Sequence, residues 1–162
     1  MDTHDFIARY GGIYEHSPWV AELVAPLIDP ADDVSLLAGL MADCVDNAAP
    51  ERQLELIRAH PDLAGQAQVA GELTADSTIE QASAGLDHCN RDEFERFQQL
   101  NEAYRKKFGF PFVMAVRDSN RQQILAAFEQ RLENDYNLEF ETALQEIHTI
   151  ARLRLESMGG EQ

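Results

Sequence analysis

Apolar residues recur three and four positions apart along most of this chain, and that period commits it to helices that pack through one apolar stripe each. Val34, Leu36, Leu37, Leu40, Met41 and Val45 form one stripe, Phe94, Phe97, Leu100 and Tyr104 a second, and Ile124, Leu125, Phe128 and Leu132 a third. A fourth runs from about Leu138 through Phe140, Leu144, Ile147, Ile150, Ala151 and Leu155, which predicts a C-terminal helix longer than the rest with its apolar face central to the core. Punctuation agrees. Thr3, Asp32 or Asp33, Asn90 and Asn120 suit N-caps, Pro50 suits a first turn, and Gly11, Gly12, Gly85 and Gly109 suit helix ends. With no internal repeat, low-complexity tract or long polar linker, the expected fold is all-α, a single-domain bundle of about eight helices over residues 1–162.

One segment breaks the period. Phe108, Gly109, Phe110, Pro111, Phe112, Val113, Met114, Ala115, Val116 is apolar and aromatic but interrupted by Gly and Pro, so it reads as extended or irregular. Buried irregular backbone must find partners for its amides and carbonyls. Two uses are open: a linker packed beneath helices, or an irregular apolar wall lining a ligand site.

Charge narrows the partners. The formal net charge of −16 repels phosphate backbones and anionic lipid, so neither nucleic acid nor a membrane surface is an expected partner. An anionic ligand would need some of the 13 Lys and Arg residues gathered locally, which directs attention to arginines. No apolar run approaches the ~20 residues that span a bilayer, and Met1 to Asp5 lack the basic start of a secretory signal. Cys44 and Cys89 have no neighbour at metal-ligand spacing, which fits a reducing, cytoplasmic setting.

Chemistry centres on Arg58, Ala59, His60, Pro61, Asp62, Leu63, Ala64, Gly65. Pro61 disfavours helical geometry at His60 and so sets an imidazole at a forced corner between two helical patterns. With an unperturbed pKa of about 6.5, such a histidine suits proton transfer near neutrality; it can equally cap the last carbonyls of the preceding helix. Ser77 and Glu80 have capping-box spacing, and a helix start also gathers amides that can hold an anion. Metal chemistry fits poorly, because His4, His16, His60, His88 and His148 form no helical pair and Gln145 stands where a di-iron motif would need Glu before His148. Gly-x-Ser-x-Gly elbows and phosphate-binding glycine loops are absent as well. Acid and base chemistry without a cofactor remains. Arg152 and Arg154, two apart on one helix, face different directions, so one can meet an anion while the other pairs with a surface carboxylate; Arg117 is a further candidate.

Several motifs in one order resemble a known family: Glu15, His16, Ser17, Pro18, Trp19; then Ala59 to Gly65; then Ser77, Glu80, Gln81, Ala84, Gly85, Leu86; then Leu100, Asn101, Tyr104; then Phe108 to Val116; and Ile150 to Leu155. Together they resemble the 2-oxo-4-hydroxy-4-carboxy-5-ureidoimidazoline (OHCU) decarboxylases of urate breakdown. The resemblance implies an all-helical homodimer that needs neither metal nor organic cofactor. It also implies a small ureidoimidazoline substrate, the product of 5-hydroxyisourate hydrolase, decarboxylated to (S)-allantoin. Matched by motif, His60 is the catalytic acid or proton carrier, Glu80 a second proton-handling group, and Arg154 the arginine that meets the anion. Pro61 walls the site, Ser77, Thr78, Ile79 and Gln81 contact the substrate, and the backbone of Phe112, Val113, Met114, Ala115 and Val116 binds ureido and ring edges.

That chemistry suits these residue types. The electron pair left by carbon dioxide has a sink in the carbon–nitrogen double bond of the substrate, so the protein need only position, polarise and move protons. A non-catalytic helical module that binds ureides is the competing reading, and it predicts binding without turnover. The chain ends Met158, Gly159, Gly160, Glu161, Gln162, which does not match a Ser-Lys-Leu peroxisomal address.

Overall fold

The computed structural model describes residues 2–28, 33–65 and 71–159, and its regular elements are helical throughout. In chain order they are α1 (Thr3–Tyr10), α2 (Trp19–Val24), a 3-10 turn (Ala25–Leu27), α3 (Val34–Asp46), α4 (Pro50–Arg58), α5 (Ala75–Ser83), a second 3-10 turn (Leu86–His88), α6 (Arg91–Phe108), α7 (Arg121–Leu132) and α8 (Tyr136–Gly159). Among the described residues there are thus eight α-helices and no strand. The all-α expectation holds, and α8 is the longest helix, with 24 residues.

Helix ends follow side-chain chemistry. Asn90 and Asn120 each accept a hydrogen bond from the amide three residues on, while Glu93 and Gln123 reach back to the cap amides, giving two full capping boxes. Asp33 caps α3 through the Leu36 amide at 2.8 Å; Asp32 lies outside the described residues. Two expected caps move by a few positions. Asp2 rather than Thr3 accepts from the Asp5 amide, because Asp2 keeps extended backbone while Thr3 is already helical. At α5 the extended residue is Thr74, whose hydroxyl accepts from the Ser77 amide at 3.2 Å. Ser77 and Glu80 are therefore one turn inside the helix, where the same spacing places both along one side rather than at an end.

Met1–His60 with Ile147–Gln162 cluster as one unit, and Pro61–Glu146 as a second. In the first, α2 packs on α1 and α3, and Val24, Met41, Val45, Leu56 and Ile57 are fully buried together with Ile147 and Leu155 of α8. The second unit is built on aromatic rings. Tyr104 lies within 6 Å, centroid to centroid, of Phe108, Phe110, Phe112 and Phe128, and Phe112 stacks on Phe128 at 3.9 Å with 8° between the planes. Here the irregular segment is explained: Phe108 still belongs to α6, Gly109 ends that helix at φ 78, where a side chain would be strained, and residues 111–116 then run without regular structure. Phe110, Phe112, Val113 and Val116 are at most 4% exposed, so these side chains pack while Met114 and Ala115 stay half-buried.

Candidate active site

His60 sits where the sequence places it, just beyond the last turn of α4. The helix stops at Arg58, and the His60 amide donates to the Ile57 carbonyl at 3.1 Å. The ring turns back so that Nδ1 lies 3.0 Å from the Leu56 carbonyl. A carbonyl only accepts, so Nδ1 carries the hydrogen and Nε2 keeps a lone pair. His60 therefore caps an end carbonyl of α4 and presents a base at its other nitrogen. With only 6% of its surface exposed, the charged form is disfavoured, and its pKa is lowered to about 4. Burial dominates; the Leu56 carbonyl and Glu15 push the other way, and Arg154 and His16 add to the fall. The residue is thus a neutral imidazole at neutral pH, rather than a group half-charged near 6.5.

Arg154 is the arginine turned inward. It is 4% exposed, and its guanidinium reaches the carbonyls of Gly12 and Ile13 and the Glu15 carboxylate, each at 3.3 Å. Arg152 instead pairs with Glu156 one turn on, both of them about half exposed. The two-residue spacing thus separates the arginines as expected. Glu15, itself 2% exposed, belongs to a turn in which Ser17 donates its hydroxyl to the Glu15 carbonyl at 2.9 Å and His16 takes a positive φ of 48°. Positive φ is costly for a side-chain-bearing residue, and buried bonds on either side hold it here. The sequence quotes Glu15 within a motif but does not indicate that it is the counter-charge of Arg154.

The remaining expected site residues lie in the second unit. On α5, Ser77 and Gln81 are buried and Glu80 is half-buried, whereas Thr78 and Ile79 turn outward, Ile79 being 66% exposed. Gln81 has a defined task. Its Oε1 accepts from the Ala64 amide at 3.0 Å and its Nε2 donates to the Asp62 carbonyl at 3.3 Å. Asn101 donates to the Leu63 carbonyl, Gln98 to the Ala64 carbonyl, and Arg105 pairs with Asp62 at 2.9 Å. The loop after Pro61 is thereby fixed at three successive residues, Asp62, Leu63 and Ala64, which sustains Ala64 at φ 50°. Arg117, the further arginine candidate, sits half-buried just past the irregular segment.

Sequence reasoning missed the group that holds the irregular segment. Arg131 of α7 donates to the Val113 carbonyl at 2.7 Å, packs its guanidinium 4.4 Å above the Phe112 ring, and pairs with the fully buried Glu139 at 2.8 Å. Tyr104 donates to the same carboxylate at 2.9 Å. Glu146 also belongs to this neighbourhood. Burial raises its carboxyl pKa, with Arg131 and the Ala115 amide opposing and Glu139 reinforcing. Arg131 escaped notice because an arginine in the last turn of a helix already has a sufficient reason to be there.

A family model described as OHCU decarboxylase matches residues 1–156. The 2-oxo-4-hydroxy-4-carboxy-5-ureidoimidazoline decarboxylase of Haloferax volcanii is 50% identical over 155 residues, 96% of this chain and 89% of that one. The uric acid degradation bifunctional protein of a Bacillus species is 39% identical over 98% of this chain, which spans 30% of that longer protein. Among solved structures, (S)-allantoin synthase superposes with a TM-score of 0.77 at 34% identity, covering 97% of this chain and half of that one. The match extends over both units and takes in every motif discussed above, so this chain belongs to the OHCU decarboxylase family.

Proposed function

We propose that this chain is a cofactor-independent carboxy-lyase that converts 2-oxo-4-hydroxy-4-carboxy-5-ureidoimidazoline to (S)-allantoin in urate degradation. The observation that carries the reading is the buried cluster in which a neutral His60, its tautomer set by Leu56, shares an environment with an inward-facing Arg154. An arginine in a dry setting receives a carboxylate through a two-pronged contact, and a neutral imidazole beside it exchanges protons without repelling that arginine.

In this mechanism Arg154 orients the substrate carboxylate. As the bond to carbon dioxide breaks, its electron pair moves into the ring and the ring nitrogen gains a proton. The resulting enol then loses its hydroxyl proton while the adjacent carbon gains one, so each carbon dioxide released takes up one proton overall. Glu80 receives the hydroxyl proton. His60, neutral at rest, takes a proton on Nε2 and delivers it to one face of the carbon, which sets the (S) configuration. Pro61, Ser77, Thr78, Ile79, Gln81 through the loop it holds, and the backbone of Phe112, Val113, Met114, Ala115 and Val116 complete the substrate contacts. The same proposal takes residues 1–162 as one cytoplasmic domain that forms a homodimer, needs no cofactor, and acts on the product of 5-hydroxyisourate hydrolase.

The test generates the substrate in place from urate with urate oxidase and 5-hydroxyisourate hydrolase and follows the circular dichroism of allantoin. Rapid growth of the (S) signal with this protein, lost in His60→Ala, is expected. Decay at the uncatalysed rate to racemic product would refute the decarboxylase and favour a ureide-binding module.

A further inference from the structure

His148, one of the histidines unused by the reaction above, is bonded through both ring nitrogens. Nε2 lies 2.9 Å from a carboxylate oxygen of Asp46, and Nδ1 lies 2.8 Å from the hydroxyl of Tyr14. The carboxylate can only accept, so Nε2 carries the hydrogen; in that tautomer Nδ1 accepts, and the Tyr14 phenol donates. Tyr14 is 2% exposed and meets the His148 ring edge-on at 5.9 Å. Its hydroxyl stays protonated, because burial raises its pKa, with Asp46 and Cys44 adding to the shift.

Tyr14 also stands in the middle of the strap that surrounds Arg154. Gly12 and Ile13, just before it, supply two carbonyls to the guanidinium, and Glu15, just after it, supplies the carboxylate. Helix α8 thus grips the same short strap twice, through His148 and through Arg154 six residues later. We propose that the Asp46–His148–Tyr14 chain positions the Gly12–Glu15 strap, and through it the guanidinium plane of Arg154, so that His148 is a positioning residue for the anionic end of the substrate.

This inference rests on the decarboxylase reading, and the chemistry of that reaction says where the effect falls. The carboxylate loses its charge as carbon dioxide departs, so the Arg154 contact is at least as strong in the ground state as in the transition state. A misplaced guanidinium therefore raises KM and leaves kcat nearly unchanged.

Three variants separate positioning from bulk stability. Tyr14→Phe removes only the hydroxyl. His148→Gln carries an amide to the Nε2 position and abandons Tyr14, whereas His148→Asn sets an amide oxygen where Nδ1 stands and keeps it. Tyr14→Phe and His148→Gln are expected to raise KM about five- to tenfold with kcat within about twofold, the double variant being no worse than either alone. His148→Asn stays within about twofold of the parent on KM. Hydrogen exchange of the Ser17 amide, which is bonded to the Tyr14 carbonyl at 3.0 Å, reads the strap without turnover and is expected to quicken about tenfold in the first two variants only. Loss of thermal stability with KM and Ser17 exchange unchanged, or equal behaviour of the Asn and Gln variants, would overturn the proposal. A parent protein without turnover would remove the decarboxylase reading alone, and Ser17 exchange would still decide the strap.

Discussion

The depressed pKa of His60 makes stability itself a reporter of the buried cluster. The folded value is about 4 and the unfolded value about 6.5, so between those pH values the unfolded chain holds a proton that the native chain does not. Stability therefore rises with pH across this window. It is complete above about 6.5 and falls steadily as pH drops toward 4, where the native histidine finally protonates. The separation of about 2.5 units corresponds to about 3 kcal/mol across the whole window, of which about 2 kcal/mol is lost between pH 7.5 and pH 5. His60→Gln leaves a polar side chain at this position but cannot titrate, so its stability should lack this one-proton slope. The assay is urea unfolding of both proteins at pH 7.5 and pH 5, with the parent losing about 2 kcal/mol more than the variant. Proton NMR gives the site directly: the imidazole resonance missing from His60→Gln should stay at its neutral position down to about pH 5. Titration of that resonance near 6.5, or equal pH slopes for the two proteins, would refute the claim that burial outweighs Glu15 and the Leu56 carbonyl.

Other substitutions test single contacts. Arg154→Leu leaves the Glu15 carboxylate buried without its cation and should cost about 3–5 kcal/mol, whereas Arg152→Ala breaks an exposed pair and should cost no more than about 0.5 kcal/mol; thermal unfolding compares them. Gln81→Ala removes both side-chain bonds to the Asp62–Ala64 loop, and a loss of about 1–3 kcal/mol is expected, with faster exchange of the Ala64 amide as the local reporter. With a net charge of −16, the native state repels itself, so raising ionic strength from about 0.01 to about 1 M should raise Tm as the Debye length falls from about 30 to 3 Å; an unchanged or falling Tm would show that local ion pairs outweigh the net charge.

What the sequence discloses depends on whether a residue acts through its neighbours in the chain or across space. Helices α3, α6, α7 and α8 were legible because a repeat of 3.6 residues is written locally, and Asn90 and Asn120 because a cap bonds three residues away. Thr74 and Ser77 show the limit of that rule: both have capping spacing to a later residue, and only the extended backbone of Thr74 decides between them. His60 was legible as a position because Pro61 forces the corner, but its protonation was not, since burial is a property of the packed unit. Helical geometry alone sets Arg152 and Arg154 on different faces, but that Arg154 is the buried one is a property of the packed unit. Its counter-charge was hidden, because Glu15 and Arg154 are 139 residues apart and nothing local in either segment marks the pair. Arg131 was hidden although its partner Glu139 is only eight residues on, because a basic residue in a last helical turn already has a local reason to be there, and Tyr104 was readable only as one more apolar-stripe residue.

The two charge states in the first unit explain one another. A guanidinium buried to 4% exposure keeps its charge because two carbonyls and one carboxylate surround it. An imidazole in the same dry environment cannot add a second positive charge beside it, and its one carbonyl contact does not compensate for the lost hydration. The burial that strengthens Arg154 as an anion receptor is therefore what keeps His60 neutral, and no substitution can maximise both a resident imidazolium and the dry arginine. The balance changes when an anion arrives, because a carboxylate near Arg154 offsets the positive field felt by His60 and makes protonation of Nε2 easier. Substrate would thus raise the basicity of the group that must take up the proton. It follows that a non-reacting carboxylate analogue bound at Arg154 should move the His60 NMR titration upward from about 4, while a neutral ureide should leave it in place. An unchanged titration with the carboxylate bound would separate the two residues electrostatically and remove His60 from the proton path.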